Sequence, residues 1–274
     1  MTRSVTSEEY TIRTDDGASL AVTVRGSGGT QIILSHGWAG GRRVWDAVSE
    51  RLLAAGHTVV TYDQRGHGDS KLGRVPIGIT RCGADLGAVL DRVDARNAVI
   101  AGHSGGGFSA LAYAVAEPNQ ANLRLRGLAL LGTAAHDQDT SDGEVKTMGS
   151  PVFTWALSRA PLGRLMLRKT MGVHPDPAAL ELHRQLFAAT PAKVRADYFR
   201  SSRGMDFRPA LADITVPTVV LSGANDTVIA PELGEAVAAA LPHAMFERLP
   251  DIGHMVPIEA PDRVAAVILE LAGQ

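Results

Sequence analysis

The chain has 274 residues, enough to bury a substantial core in one large domain or two small ones, which excludes a mini-protein. Hydrophobic residues at 45% and charged residues at 20% are ordinary for a folded globular chain and exclude collagen-like and disordered readings. Lys+Arg 27 against Asp+Glu 29 leaves a net charge of -2, without the basic footprint that phosphate backbones demand, so no nucleic-acid partner is expected.

The opening MTRSVTSEEY is polar and lacks the apolar centre of a signal peptide. No stretch approaches the roughly 20 apolar residues of a membrane span, so a cytoplasmic protein without a span is expected. The single cysteine, Cys82, can make no internal disulfide and cannot alone build a structural zinc site, which agrees with a reducing compartment. Residues 10 to 25 alternate polar and apolar side chains around Asp15-Asp16-Gly17, the pattern of a hairpin. The continuous apolar run Gln31 to Leu34 predicts a strand covered on both faces and ends at Ser35-His36-Gly37. A helix from Val44 to Ala55, a strand from His57 to Tyr62 and a helix from Arg81 to Val93 follow. Next come a strand Ala98 to Ala101, a helix Gly106 to Ala116 and a strand Leu125 to Leu131. Strands separated by helix-length segments predict an α/β fold, a mostly parallel sheet with helices on both faces.

The alternation breaks over residues 133 to 212, where helical periodicity is interrupted by Pro151, Pro161, Pro175, Pro177 and Pro191. This segment reads as a helical insertion that divides the core into 1–132 and 213–274. Beyond it a strand Val216 to Ser222, a helix Pro231 to Ala240, a strand Ala244 to Leu249 and a helix Pro261 to Leu271 restore the rhythm.

The most informative segment runs from Ala98 to Gly107, a buried-strand pattern that enters Gly102-His103-Ser104-Gly105-Gly106, a G-x-S-x-G motif, and then a helix of small residues. A serine between strand and helix sits in a strained turn, with glycines two before and two after leaving room for close backbone packing. The turn presents the hydroxyl at the carboxyl end of the sheet, where open α/β sheets bind ligands. A serine hydroxyl needs a base, and a base needs an orienting acid. His254, in the loop between the last strand and the last helix, is the candidate base. Asp226, in the loop after the strand Val216 to Ser222, is the candidate acid, with Asp137 in reserve. The order Ser, Asp, His is that of the α/β-hydrolases. His36 and His67 lie in glycine-rich loops and read first as structural, while His103 precedes the serine and should point away from it.

With these motifs in place the chain resembles the α/β-hydrolase superfamily over nearly its whole length, in particular a serine-nucleophile, esterase- or lipase-like member with a helical lid. The likeness rests on His36-Gly37-Trp38, Tyr62 to Ser70, Gly102 to Gly106, Gly223 to Asp226 and Gly253-His254, in that order. It implies an oxyanion hole formed by the backbone N–H groups of Gly105 and Trp38, and a cap over residues 133–212. Ser104 argues against relatives that carry an aspartate at the elbow, such as haloalkane dehalogenases and soluble epoxide hydrolases.

Within the insertion, Met148, Phe153, Trp155, Met166, Met171 and Phe187 are suited to an apolar pocket wall, although most such residues pack helices together. The candidates for contact with substrate are His36, His103, Phe153, Trp155 and Met255. Arg159, Arg164, Arg168 and Lys169 read as a solvated basic face rather than an anion site. No HExxH, paired-cysteine or phosphate-loop signature occurs, so neither metal nor organic cofactor is expected. The activity expected is hydrolysis of a carboxylic ester, or a related acyl bond, of a small and partly hydrophobic substrate. A lactonase, thioesterase, C–C hydrolase or perhydrolase remains the alternative. A ligand receptor, lyase or cofactor-free oxygenase is the competing class.

Overall fold

The computed structural model describes residues 6–273; Met1 to Val5, half of the polar opening read above as no signal peptide, and Gln274 lie outside the described residues. Eight strands form one sheet. They are β1 (Ser7–Arg13), β2 (Ser19–Arg25), β3 (Gln31–Ser35), β4 (Thr58–Tyr62), β5 (Ala98–His103), β6 (Leu125–Leu131), β7 (Thr218–Gly223) and β8 (Ala244–Leu249). Their order is β1-β2-β4-β3-β5-β6-β7-β8. β1 and β2 pair antiparallel, as does β2 with β4, and every pairing from β4 to β8 is parallel. The mostly parallel sheet expected of an α/β fold is therefore present, with the expected hairpin at its edge.

The continuous apolar runs follow from burial on both faces. Ile33, Val60, Ile100, Leu128 and Val220 point to one core, and their neighbours Ile32, Val59, Val99, Ala129 and Val219 to the other. The helices α1 (Asp46–Ala54), α2 (Ile79–Arg92), α3 (Gly105–Ala116) and α4 (Pro118–Arg124) precede β6. α2 and α3 cover the first face through Leu86, Val89, Leu90, Ala110 and Leu111. α1 covers the second through Val48 and Leu52. A 3₁₀ turn, Arg42–Trp45, leads into α1, and β5 extends two residues past the expected end to carry its last residue to the elbow.

Between β6 and β7 run α5 (Asp142–Met148), α6 (Pro151–Ser158), α7 (Ala160–Leu167), α8 (Pro177–Ala189) and α9 (Ala192–Ser201). Of the prolines that interrupt the sequence pattern, all but Pro175 stand at the start of these helices. Pro151 and Pro177 follow the capping side chains of Ser150 and Asp176, where a missing N–H costs nothing. Ser141 and Glu144 cap α5 reciprocally. The buried guanidinium of Arg195 on α9 donates to the carbonyls of Met148, Phe187 and Thr190 and to the Thr154 hydroxyl, joining the helices into one packed unit. After β7 come α10 (Pro231–Ala240), α11 (Val256–Glu259) and α12 (Pro261–Leu271). α10 packs on the first face and α12 on the second. The short helices α4 and α11 have no counterpart in the sequence pattern, because a helix of one or two turns shows too little periodicity to register. Among the described residues no helix is long and apolar enough to cross a membrane.

Candidate active site

Ser104 joins β5 to α3 with φ 52 and ψ −119, a left-handed backbone that costs a non-glycine residue about 1–3 kcal/mol. Its surroundings hold it there. Ser104 N donates to Leu131 O at 2.8 Å, while its carbonyl accepts from Gly107 N at 2.8 Å and from the Thr133 hydroxyl at 3.0 Å. The flanking glycines are demanded by space: a Cβ on Gly102 would lie 2.6 Å from Gly106 O, and one on Gly106 would strike Ser35 O.

His254 and Asp226 enter from the loops after β8 and β7. His254 Nε2 lies 3.0 Å from Ser104 Oγ, and its Nδ1 lies 2.8 Å from Asp226 Oδ2. A carboxylate only accepts, so the ring proton resides on Nδ1 and the Nε2 lone pair faces the serine hydroxyl. Asp226 Oδ1 takes the N–H groups of Val228 at 2.8 Å and Ile229 at 2.9 Å, which fixes the carboxylate plane. Burial disfavours its charge, yet the His254 imidazole and these two N–H groups outweigh burial and hold the carboxyl below its ordinary range. The reserve acid Asp137 is engaged elsewhere, accepting from Thr140 N and Gly204 N.

The backbone N–H groups of Trp38 and Gly105 have no hydrogen-bond acceptor among the described residues. The two residues pack closely, since a Cβ on Gly105 would run into the Trp38 indole. Two buried histidines pin the Trp38 loop. His67 Nε2 accepts from Ala39 N at 2.9 Å, and His36 accepts from Gln64 N at 2.9 Å while its Nδ1 donates to Gly37 O at 2.7 Å. Both uses require neutral rings. Burial lowers the pKa of each, that of His67 to about 3.

A cavity of roughly 1000 Å³ opens over Ser104 between the sheet and the insertion. Phe153, His103 and Met255 line it as expected candidates, joined by Trp38, Phe187 and His183. His36 does not: both its ring nitrogens are spent on the backbone beneath the Trp38 loop and the side chain is sealed from the cavity. Trp155 does not either. It is 55% exposed on the outer side of α6, with the Arg159 guanidinium 5.4 Å over its ring. His103 turns its Nε2–H to His254 O at 2.8 Å and so props the base loop while presenting its ring to the cavity. Of the basic side chains of the insertion, Lys169 lines the cavity, whereas the two arginines of α7 and the turn after it are committed within the fold. Arg164 pairs with Glu181, and Arg168 donates to the carbonyls of Gly172 and Val173.

Two residues here escape the sequence pattern. His183 lies mid-helix in α8 with no motif around it. Glu259 takes the N–H groups of Gly172, Gly253 and Met255 at 2.5, 3.3 and 2.9 Å, clamping both sides of His254. A lone acid in the otherwise apolar Met255 to Ala260 was the available signal for it. Among the described residues no group of three or more His, Cys, Asp or Glu is arranged to hold a metal ion.

Comparison with known proteins places this geometry in company. The profile of the family described as "Alpha/beta hydrolase family" matches residues 32–267. A RutD protein of Azorhizobium caulinodans, named provisionally as a carbamate hydrolase, is 28% identical over 264 residues, 94% of this chain and 96% of that protein. A hydrolase from Pseudomonas aeruginosa PA01 superposes with a TM-score of 0.83 at 29% identity, covering 97% of this chain and 99% of that one. A thermophilic esterase from Thermogutta terrifontis is 27% identical with a TM-score of 0.78, covering 96% and 97%.

Proposed function

We infer that this chain, which belongs to the alpha/beta hydrolase family, is a serine hydrolase that cleaves a carboxylic ester or related acyl bond of a small, partly hydrophobic substrate. The observation that carries this reading is the unbroken line Asp226 Oδ2, His254 Nδ1, His254 Nε2, Ser104 Oγ, with steps of 2.8 and 3.0 Å across the ring.

In this reading Ser104 Oγ attacks the acyl carbon as its proton passes to His254 Nε2, and the ionised Asp226 stabilises the imidazolium. The carbonyl oxygen becomes an oxyanion that accepts from the unpartnered N–H groups of Gly105 and Trp38, each worth on the order of a hundredfold in rate. Collapse expels the leaving alcohol, which takes the proton from Nε2. Water then attacks the acyl-enzyme, gives its proton to Nε2, and releases the acid and the restored serine. The cycle needs only groups of this chain and water. The insertion acts as the lid, with Phe153, Phe187 and Met255 as the apolar wall for the acyl portion. A cytoplasmic location fits the buried lone Cys82, whose thiol burial pushes up to about 12 and so keeps it inert.

A panel of p-nitrophenyl esters tests the reading. Ser104→Ala is expected to lower kcat on the order of a millionfold and to abolish fluorophosphonate labelling. Retention of most ester turnover by that variant overturns the assignment. Rates that rise with acyl length to medium chains support the apolar wall, and activity on acetate alone contradicts it.

A further inference from the structure

α8 places Leu180, His183 and Phe187 on one buried face, and the middle of these three is an imidazole where packing alone would be served by an aliphatic side chain. His183 Nε2 lies 3.2 Å from Thr170 Oγ1. The Thr170 hydroxyl spends its one proton on Leu167 O at 2.8 Å, so it receives from the histidine and the ring proton belongs on Nε2. Nδ1 is left as a bare acceptor. It has no partner among the described residues, and unlike Nδ1 of His103 it is not sealed in the interior, while the ring lines the cavity over Ser104.

The rings beside it are apolar or already committed, while Lys169 and Gln138 also line the cavity. The Phe187 ring stands 5.8 Å away, edge to face. The imidazoles of His103 and His254 are occupied by the His254 carbonyl and by Asp226 and Ser104. Burial, aided by the proximity of His254, holds His183 near pKa 3, so it stays a neutral acceptor at working pH.

We propose that His183 is a specificity-determining residue whose Nδ1 accepts a hydrogen bond from the substrate, selecting acyl compounds that carry a neutral O–H or N–H donor beside the Phe187 wall. This rests on the serine-hydrolase reading above. A substrate that covers Nδ1 without a donor leaves a desolvated lone pair, and a carboxylate in the same place meets it with like polarity.

Two matched pairs of p-nitrophenyl esters read the effect. In the first, 3-hydroxybutyrate is set against 3-methylbutyrate, exchanging O–H for CH₃; in the second, N-acetylglycinate is set against 4-oxopentanoate, exchanging N–H for CH₂. The ratio of kcat/KM within each pair is measured for wild type and divided by the same ratio for His183→Phe, which cancels the intrinsic reactivity of the esters. The expected quotient is on the order of tenfold in at least one pair, and the responding pair identifies an oxygen or a nitrogen donor. His183→Asn, whose amide oxygen can occupy the place of Nδ1, is expected to recover the wild-type ratio in that pair. Each variant is checked for a competent site by fluorophosphonate labelling of Ser104. Quotients within twofold of one in both pairs, with Ser104 labelled, overturn the role of His183 and leave the hydrolase standing. Failure of wild-type Ser104 to label overturns the hydrolase reading and the inference with it.

Discussion

Lowering the pH from 7.5 to 5 should destabilise this protein well before its carboxylates titrate. His67, His103 and His183 are buried neutral with pKa values lowered to about 3, each first by burial and then by a neighbouring histidine, whereas unfolded histidine titrates near 6.5. A lowered folded pKa means the unfolded chain binds protons first. The stability these rings allow is therefore present above pH 6.5 and is lost as the pH falls towards 3. One pH unit is worth about 1.4 kcal/mol per group, so at pH 5 each histidine has cost about 2 kcal/mol and the three together about 6. His36, also lowered by burial, adds in the same direction. Glu259, raised by burial against its three N–H bonds, has the opposite sign, since its folded form takes up a proton first. Asp85 and Asp46, raised by burial, oppose the loss as Glu259 does, and a net loss of a few kcal/mol by pH 5 is expected, against a typical stability of about 5–15 kcal/mol. Asp226, held below its ordinary value, responds only at lower pH, so the window belongs to the histidines. Urea unfolding followed by tryptophan fluorescence at pH 7.5, 6.5, 5.5 and 5 measures the slope. His67→Gln, whose amide oxygen can still accept from Ala39 N, should flatten it. Midpoints that stay constant across the range refute the claim that these rings must remain neutral.

Other perturbations probe the site itself. Gly105→Ala drives a Cβ into the Trp38 indole and displaces one proposed oxyanion donor against the other; kcat/KM on esters should fall on the order of a hundredfold while the melting temperature moves by only a few degrees. Asp226→Asn offers an N–H to Nδ1 and forces the ring proton onto Nε2, so kcat should drop on the order of ten-thousandfold with the protein still folded by circular dichroism. Glu259→Gln replaces the charged acceptor of the Gly172, Gly253 and Met255 N–H groups by a neutral amide; kcat/KM on esters should fall on the order of tenfold as the base loop loosens, and an unchanged kcat/KM would show that the charge of Glu259 does not matter to the site.

The legible part of this fold is the part whose physics is local. β3, β5, β6 and β7 stand out because both faces of a parallel sheet are buried and their central positions form continuous apolar runs. The Ser104 turn stands out because the tight passage from strand to helix needs small residues on both sides of the serine, Gly102 packing on Gly106 within the motif itself. Trp155 was misplaced because periodicity states how far apart residues of one face lie and not which face turns inward; α6 turns Ala156 and Leu157 in and leaves Trp155 beside Arg159. For His36 the structure selects the structural reading over pocket contact: a loop histidine next to a catalytic motif serves equally well as a pocket wall or as a backbone strut, and the distant Gln64 N–H decides. His183 was silent for the same reason, its meaning being set by Thr170 and by a cavity assembled from remote segments.

The same remote contacts constrain how the cavity can open. Thr170 O accepts from His254 N at 2.8 Å, Val173 N donates to Asp251 O at 2.9 Å, and Glu259 holds Gly172 of the insertion together with Gly253 of the base loop. Gly172 and Gly253 are required here by contact, because a Cβ on either would collide with backbone of the other segment. The stretch from Thr170 to Val173 is thus fused to the loop that carries His254, and any hinge at this end would carry the base away from Ser104. Substrate is therefore expected to enter at the opposite margin of the cavity, where α5 and residues 138–140 contribute exposed polar side chains. The abutment from Thr170 to Val173 then acts as a fixed part of the insertion that sets the geometry of the base.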